Sequence, residues 1–227
     1  STGCTSIDEL LGGGFEREAV TQLYGPPASG KTNLALSSAV DIASGGDTVL
    51  YIDTEGLSGD RFEQFAAAHD DASVEEIASR VIITEAMDFD EQTEAVRDAA
   101  DLAPQVSLIV LDSATGFYRL ERHDEDEGEN LRRVAKQVTH LLSLARRHDL
   151  AVVITNQVYA DPESESSRPR PLGGHTLTHW CGIIVRLERF RAGNRRATLE
   201  KHRSKAAGET AQFRITGGGL ESVDDVR

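Results

Sequence analysis

Lysine is scarce in this chain, although acidic residues are abundant. The 227 residues include 24 Lys and Arg against 38 Asp and Glu, for a formal net charge of −14. The lysines are Lys31, Lys136, Lys201 and Lys205. An acidic surface with little lysine suits concentrated salt, because salt screens the repulsion between like charges. The composition predicts a halophilic, haloarchaeal source, with an ordinary acidic protein from a low-salt organism as the alternative.

Cysteine and long apolar runs are scarce as well. Cys4 and Cys181 are the two cysteines and lie far apart in the sequence, which excludes a disulfide framework, argues against a thiolate metal site and suits a reducing compartment. The chain has no run of about 18 apolar residues, and its first residues lack a signal-peptide pattern. We therefore expect a cytoplasmic protein that does not contact a membrane.

Apolar segments alternate with helical patterns over most of the chain, which is typical of a parallel sheet with crossover helices. The strands predicted from apolar, β-branched runs are residues 20–24, 48–53, 81–84, 107–112 and 151–156. Helical spacing of apolar residues predicts helices over 33–44, 90–102 and 129–147. We predict an α/β fold in which helices flank a mostly parallel, twisted sheet.

The pattern changes after residue 175. Residues 183–190 and 195–202 read as a β-hairpin that turns at Gly193 and Asn194, and residues 212–216 predict one more strand. The parallel sheet is thus expected to end in antiparallel strands, within a single domain that spans residues 1–227. The polar segments 121–129 and 160–174 are predicted to be mobile.

A phosphate-binding motif dominates the sequence. The run G-P-P-A-S-G-K-T at residues 25–32 matches G-x-x-x-x-G-K-[ST] between a predicted strand and a predicted helix. Its glycines let backbone N–H groups turn toward phosphate oxygens, and the following helix adds its positive N-terminal end. Lys31 would reach the β- and γ-phosphates, and Thr32 would coordinate Mg²⁺. The predicted ligand is ATP with Mg²⁺, and the alternative is a Gly/Pro turn followed by Lys-Thr by chance. The predicted nucleotide-binding residues are Gly25, Pro26, Pro27, Ala28, Ser29, Gly30, Lys31, Thr32 and Asn33.

Three polar residues at or just after the ends of predicted strands are candidates for chemistry at the same sheet edge. Asp112 can hold a Mg²⁺ water or the Thr32 hydroxyl, or it can act as a turn residue or helix cap. Glu55 can polarise an attacking water, or it can be a solvated loop acid. Gln157 can sense the γ-phosphate and pass its state to the loop 158–174, or it can cap backbone groups at the strand end.

Residues 186–205 form a basic segment in an otherwise acidic chain. It holds eight Arg and Lys against two Glu, which gives a net charge of +6. Basic side chains on a hairpin can neutralise DNA phosphates, and such binding depends strongly on salt. The alternative is a solvated hairpin face or a contact between subunits.

Several runs together resemble the RecA/RadA recombinase superfamily over nearly the whole chain. The opening T-G-C-T-S-I-D-E-L-L-G-G-G-F-E (2–16) is similar to the lead-in of that ATPase core. The runs Y-I-D-T-E-G (51–56), L-I-V-L-D-S-A-T (108–115) and A-V-V-I-T-N-Q-V (151–158) resemble archaeal and eukaryotic recombinase signatures. P-L-G-G (171–174) resembles the end of their second DNA-binding loop.

The resemblance implies a RecA-like P-loop ATPase core and a role for each matching residue. It implies that Glu55 activates water, that Asp112 and Thr32 hold the metal, and that Gln157 couples ATP to DNA. Segments 115–129 and 158–174 would be the two DNA-facing loops.

Departures from the superfamily pattern narrow the expected function. Strand-exchange recombinases carry an N-terminal helical domain and a Phe-x-x-Ala linker, which we expect to be absent because the lead-in begins at residue 2. Leu57-Ser58-Gly59-Asp60 replaces the aromatic-Arg-Pro run after T-E-G, and the first loop is strongly acidic. The resemblance thus implies an ATP-binding accessory protein of DNA repair and homologous recombination that hydrolyses ATP weakly. The implied partners are DNA, expected to be single-stranded, the RadA recombinase, and a Holliday-junction resolvase.

A second resemblance is to the KaiC-like ATPases, which share the lead-in and the P-loop. Their trans-acting Lys-x-Arg is similar to Lys201-His202-Arg203. It would make this segment a sensor of the neighbouring subunit's phosphate, and the protein a ring-forming signalling ATPase. The D-S-A-T and T-N-Q-V runs favour the recombinase resemblance.

Overall fold

The computed structural model describes residues 1–120, 127–159 and 170–223. The strands in this part are β1 (Ala19–Tyr24), β2 (Val49–Asp53), β3 (Val81–Glu85), β4 (Leu108–Asp112), β5 (Ala151–Asn156), β6 (Val158–Tyr159), β7 (Arg170–Pro171), β8 (Ile183–Arg189), β9 (Arg195–Lys201), β10 (Thr210–Thr216) and β11 (Gly219–Val223). The α-helices are α1 (Thr5–Leu11), α2 (Lys31–Ser44), α3 (Gly59–Ala66), α4 (Val74–Ser79), α5 (Phe89–Leu102), α6 (Gly116–Leu120), α7 (Glu127–His148) and α8 (Gly174–Trp180).

A nine-stranded sheet organises the described residues. Its order is β11-β10-β9-β8-β1-β5-β4-β2-β3. The strands from β8 to β3 in this order are parallel, and β9, β10 and β11 extend the sheet beyond β8 in antiparallel pairs. The predicted α/β fold, with a mostly parallel sheet that ends in antiparallel strands, is therefore confirmed.

Helices cover both faces of the parallel strands, which explains why these strands are continuous apolar runs. On one face, α2, α3 and α4 contribute Leu36, Phe65 and Ile77 to a core with the sheet. On the other face, α5, α7 and α8 build a second core. The central strands β1, β2, β4 and β5 are buried along their whole length. Polar residues at the ends of these strands are therefore held on a rigid frame.

The predicted elements are found with small shifts in their bounds, and several short elements had no prediction. The hairpin turn occupies residues 190–194 with a single 3-10 turn at Arg191–Gly193, rather than the two residues expected. Strand β11 was not predicted, because its polar residues lie at the sheet edge and lack an apolar run. None of the helices in the described ranges is long and apolar enough to span a bilayer.

Candidate functional site

The P-loop, residues 25–32, joins the end of β1 to the start of α2 and packs tightly against β8 and β10. A Cβ atom on Gly25 would lie 2.1 Å from the Leu187 carbonyl oxygen of β8. Gly30 has φ +103°, and a Cβ there would lie 3.3 to 3.4 Å from Ile215 and Phe213 of β10. These two glycines are thus required by a close approach and by a left-handed backbone, respectively.

The Lys31 side chain folds back over the start of the P-loop to which it belongs. Its Nζ donates to the carbonyl oxygens of Gly25 at 2.8 Å and Pro26 at 3.0 Å. Burial lowers the pKa of Lys31, while the charges of Asp112 and Glu55 oppose that shift. The buried Ser29 hydroxyl has no hydrogen-bond partner within the described residues. Because an unpaired buried hydroxyl and an ammonium bound only to carbonyls lie in one loop, the donor groups present fit an anionic phosphate.

Asp112 lies at the end of β4 and is almost fully buried. Its carboxylate accepts hydrogen bonds from Tyr51 Oη at 2.8 Å, from Thr155 Oγ1 at 2.5 Å and from the Thr32 hydroxyl. Burial raises the pKa of Asp112, and the three hydrogen bonds act in the opposite direction. The structure thus brings together the two predicted metal-site residues, Thr32 and Asp112. Their hard oxygen atoms fit Mg²⁺.

Such an ion would need further ligands. The part of the chain that the structure describes has no group of three or more His, Cys, Asp or Glu that could hold a metal ion. Mg²⁺ typically keeps several waters and binds through one or two protein ligands plus substrate phosphates. The Thr32 and Asp112 pair fits that mode of binding.

Glu55 is exposed in the loop after β2 and is oriented by neighbouring groups. The Asp53 carboxylate accepts hydrogen bonds from the backbone N–H groups of Glu55, Gly56 and Leu57, and so fixes the loop. Glu55 Oε1 in turn accepts from Ser113 Oγ at 2.8 Å, just beyond β4. Burial lowers the pKa of Lys31 and raises the pKa of Asp112, and the charge of Glu55 opposes the first shift and adds to the second.

Asn156, at the end of β5, connects several segments through one buried amide. Its Oδ1 accepts from Thr115 Oγ1 at 2.6 Å and from the Gln157 backbone N–H at 2.7 Å. Its Nδ2 donates to Gln22 Oε1 at 2.9 Å and to the Leu172 carbonyl at 2.8 Å. The two donors and two acceptor positions of the amide are all used. One side chain therefore ties β1 to the starts of both predicted DNA-facing loops and to the end of the second.

Gln157 immediately follows this residue, at the sheet edge expected from the sequence. Its side chain is partly buried, and its backbone carbonyl accepts from the Leu172 N–H at 2.9 Å. Any displacement of Gln157 acts directly on the bond between its N–H and Asn156. Much of the predicted loops, at residues 121–126 and 160–169, lies outside the described residues.

The basic segment 186–205 is largely engaged in contacts within the chain. Arg186 pairs with both Glu188 and Glu200 at 3.0 Å, and Arg196 pairs with Glu188. Lys205 donates to the Glu9 and Leu10 carbonyls. The side chains of Arg189 and Arg191 form no hydrogen bond or ion pair with a described residue. The positive charge open to a partner is therefore smaller than the net +6 of the sequence suggests.

Lys201, His202 and Arg203 lie away from the P-loop of their own chain. They line a cavity beside Glu18 and Ala19, at the start of β1, whereas the P-loop follows the end of β1. Lys201 donates to the Thr178 carbonyl at 2.9 Å, and Arg203 pairs with Glu16 at 3.0 Å.

Sequence reasoning did not identify the residues that orient the site. Tyr51 and Thr155 orient Asp112 through hydrogen bonds. Asp53 and Ser113 orient Glu55, and Asn156 holds the ends of the predicted DNA-facing loops. One available signal is that four of them are polar residues within or next to the same strand ends that supplied the predicted residues. Tyr51 gives no such signal, because it lies inside an apolar strand.

The chain is similar to known proteins over nearly its full length. The Rad51 family model matches residues 1–223. The DNA repair and recombination protein RadB of Halobacterium salinarum is 61% identical over 228 residues, which cover 99% of this chain and 96% of that protein. RadB of Methanococcoides burtonii is 45% identical, with 96% of each chain covered. A solved structure described as the crystal structure of the RadB recombinase has a TM-score of 0.83 at 39% identity and covers 99% of both chains.

These matches support the recombinase resemblance over the KaiC-like one. The relative from Halobacterium salinarum is an archaeal protein from a halophile, in agreement with the prediction from the charge composition.

Proposed function

This chain belongs to the Rad51 family of DNA repair and recombination proteins, as its full-length similarity to archaeal RadB shows, and from that premise we propose that it is an ATP-binding accessory protein that aids a RadA recombinase. The observation that carries the nucleotide part of the proposal is the convergence of Lys31, Thr32, Asp112 and Glu55 at one sheet edge. Family membership implies the use of a nucleotide with Mg²⁺ in general, and ATP is the proposed nucleotide.

The P-loop and its neighbours would bind and orient the nucleotide. Residues 25–33 would supply the Ser29 hydroxyl, the Lys31 ammonium and the free backbone N–H groups of the non-proline residues for phosphate oxygens. Thr32 and Asp112 would hold Mg²⁺, which neutralises phosphate charge when bound. Tyr51 and Thr155 keep the Asp112 carboxylate in a single orientation through their hydrogen bonds.

Glu55 is the proposed general base. The Ser113 hydroxyl and the loop fixed by Asp53 orient its carboxylate, and its exposure leaves it open to water. Proton transfer from an attacking water to Glu55 would contribute to hydrolysis. We expect slow turnover, because the aromatic-Arg-Pro run of the recombinases is replaced here and Arg61 is already bound to Asn33 Oδ1 and the Thr216 carbonyl.

Gln157 is the proposed link between nucleotide and DNA. It lies next to Asn156, whose four hydrogen bonds hold the ends of the two predicted DNA-facing loops against β1. A shift of Gln157 toward a γ-phosphate would therefore move Asn156 and alter its hydrogen bonds to residues 115 and 172. Single-stranded DNA, the RadA recombinase and a Holliday-junction resolvase are the proposed partners. Because both cysteines are free thiols, we also propose a cytoplasmic location for a single-domain protein.

ATP turnover of the protein purified alone, in molar KCl with Mg²⁺, tests the proposal. We expect ATP binding, slow turnover without DNA, and faster turnover with single-stranded DNA. Glu55→Gln is expected to retain ATP binding and to lower turnover about a hundredfold or more, because the carboxylate base is lost. Glu63→Gln, an exposed residue of α3, provides the matched control with the same change of charge.

Two results would contradict this assignment. Absence of ATP binding would refute the nucleotide part of the proposal. Wild-type turnover in Glu55→Gln would show that Glu55 is not the base. ATP binding without measurable turnover would leave a nucleotide switch, and the RadA contact would then be the function to measure.

A further inference from the structure

A groove between α5 and α7 is lined by cationic side chains, although the chain as a whole is acidic. Its volume is about 350 Å³. The residues that line it are Thr93, Val96, Arg97, Arg133, Lys136, Gln137 and His140. Their spacing places them on one face of each helix, so the two faces meet across the groove. None of the lining residues is acidic.

The two arginines of the groove have carboxylate partners. Arg133 donates to Asp90 Oδ1 at 2.5 Å and lies over the Phe89 ring at 4.2 Å. Arg97 pairs with its sequence neighbour Asp98 at 3.0 Å, and both side chains are largely exposed. The arginines are therefore held near the groove, and their charges are partly compensated.

Lys136 and His140 lack such partners. Neither side chain forms a hydrogen bond or ion pair with any described residue. The Nε2 atom of His140 is buried and unpaired within the described part of the chain. A buried polar atom without a partner is uncommon in folded proteins and is often satisfied by an ion or water. His140 thus brings to the groove a ring whose Nε2 atom has no partner among the described residues.

The scarcity of lysine makes Lys136 unusual. The other lysines bind backbone carbonyls: Lys31 in the P-loop, Lys201 at Thr178, and Lys205 at the end of α1. Lys136 instead lies one helical turn from Arg133 on the same helix, and both line the groove. Like charges at this spacing destabilise a helix, and a bound anion would relieve that repulsion.

We propose that the α5–α7 groove binds a phosphate group. Lys136 supplies a point charge, Arg97 and Arg133 supply planar donors suited to phosphate oxygens, and His140 supplies the buried ring nitrogen. Val96 lines the groove between these polar side chains. The phosphate comes either from the DNA backbone, since α7 follows the predicted loop 115–129, or from a free phosphate compound. This site is separate from the P-loop.

A phosphate titration of the full chain carrying Lys31→Ala tests the proposal without competition from the P-loop. Potassium phosphate is compared with potassium chloride at equal ionic strength, and the imidazole resonances are followed by NMR. The His140 resonance is assigned with His140→Gln. We expect a saturable shift that phosphate causes and chloride does not. If Lys31→Ala does not fold, the wild-type chain saturated with ADP and Mg²⁺ replaces it.

Two variants distinguish phosphate binding in the groove from general attraction of phosphate to the positive charge of α7. Lys136→Gln is expected to weaken phosphate binding about tenfold, because a charged hydrogen bond is lost. Arg132→Gln removes one charge from an exposed position of α7 outside the groove and is expected to leave binding unchanged. Equal weakening in both variants, or the absence of a saturable shift, would overturn the proposal.

A short single-stranded oligonucleotide identifies the source of the phosphate. Competition with inorganic phosphate for the His140 shift would show that the groove contacts the DNA backbone. A phosphate shift that the oligonucleotide does not affect would show that the groove takes a free phosphate compound.

Discussion

Lys31 lies where its charge is costly. Burial lowers the pKa of the ammonium, and its contacts within the chain are carbonyl oxygens rather than a carboxylate. Asp112 and Glu55 oppose that shift through their charges, so the three groups depend on one another electrostatically. Phosphate oxygens would give the ammonium stronger, charge-assisted partners than carbonyls do.

Lys31→Ala is therefore expected to abolish detectable ATP binding. The substitution removes the charge and its phosphate contacts, and leaves the glycines of the loop in place. Titration with a fluorescent ATP analogue in molar KCl measures the effect. Unchanged affinity would refute the P-loop assignment.

Asn156 shows how one uncharged residue can control two loops. Its amide forms four hydrogen bonds to Gln22, Thr115, Gln157 and Leu172 inside the protein. Because a carboxylate cannot donate, Asn156→Asp removes the donor to Gln22 Oε1 and leaves the Leu172 carbonyl facing another oxygen.

We expect Asn156→Asp to lower the free energy of unfolding by about 1–3 kcal/mol. Limited proteolysis should cut the chain faster near residues 115 and 172, because the ends of the two predicted DNA-facing loops are no longer held by hydrogen bonds. Asn194→Asp, in the turn between β8 and β9, makes the same chemical change away from this network and serves as control. Equal effects of the two substitutions on unfolding and cleavage would contradict the linking role of Asn156.

At the scale of elements, the P-loop is shaped by the strand beside it as well as by its own sequence. β8 pairs with β1 in parallel, and its Leu187 carbonyl closes against Gly25. β10 packs Phe213 and Ile215 against Gly30. The edge strand of the parallel set, β8, and one strand of the antiparallel extension, β10, thus both support the nucleotide site.

Gly25→Ala is expected to destabilise the protein by about 1–3 kcal/mol and to weaken ATP binding, because an added methyl group would collide with backbone. Urea unfolding and nucleotide titration measure the two effects. Gly59→Ala, whose added Cβ would meet no atom within 4 Å, is the matched control. Wild-type stability of Gly25→Ala would show that β8 can move away at little cost.

At the scale of the whole molecule, the net charge of −14 is the dominant electrostatic feature. Exposed acids are spread along α3, α4 and α5, whereas cations are concentrated on α7 and on the β8–β9 hairpin. Repulsion among the acids opposes the folded state at low salt, and screening reduces it.

The free energy of unfolding is expected to rise as KCl increases from dilute buffer to molar concentrations. Urea unfolding at each salt concentration measures this free energy. Lys136→Glu makes the net charge more negative by two units, so its free energy of unfolding should depend more steeply on KCl. Equal or greater stability in dilute buffer would contradict adaptation to salt.

The regular elements of the fold were predictable because local pattern determines them. The apolar runs that become β1, β2, β4 and β5 are buried on both faces, so their sequences carry a strong signal. β11 forms because it pairs with β10 at the sheet edge, and the short helix α4 begins at the Ser73–Glu76 capping box. Each involves few residues and therefore gives a weak signal in the sequence.

The sequence alone determined the phosphate-binding motif, the parallel sheet and the polar residues at its edge, because each depends on residue type at short spacing. The tertiary structure decided which groups meet. Tyr51 and Thr155 reach Asp112 across neighbouring strands, and Asn156 joins Gln22 to Leu172. It also decided that Glu188 and Glu200 engage Arg186 and that Lys136 stays without a partner among the described residues. These contacts depend on strand order and side-chain direction, since the residues involved lie far apart in the chain and meet only when the sheet is assembled.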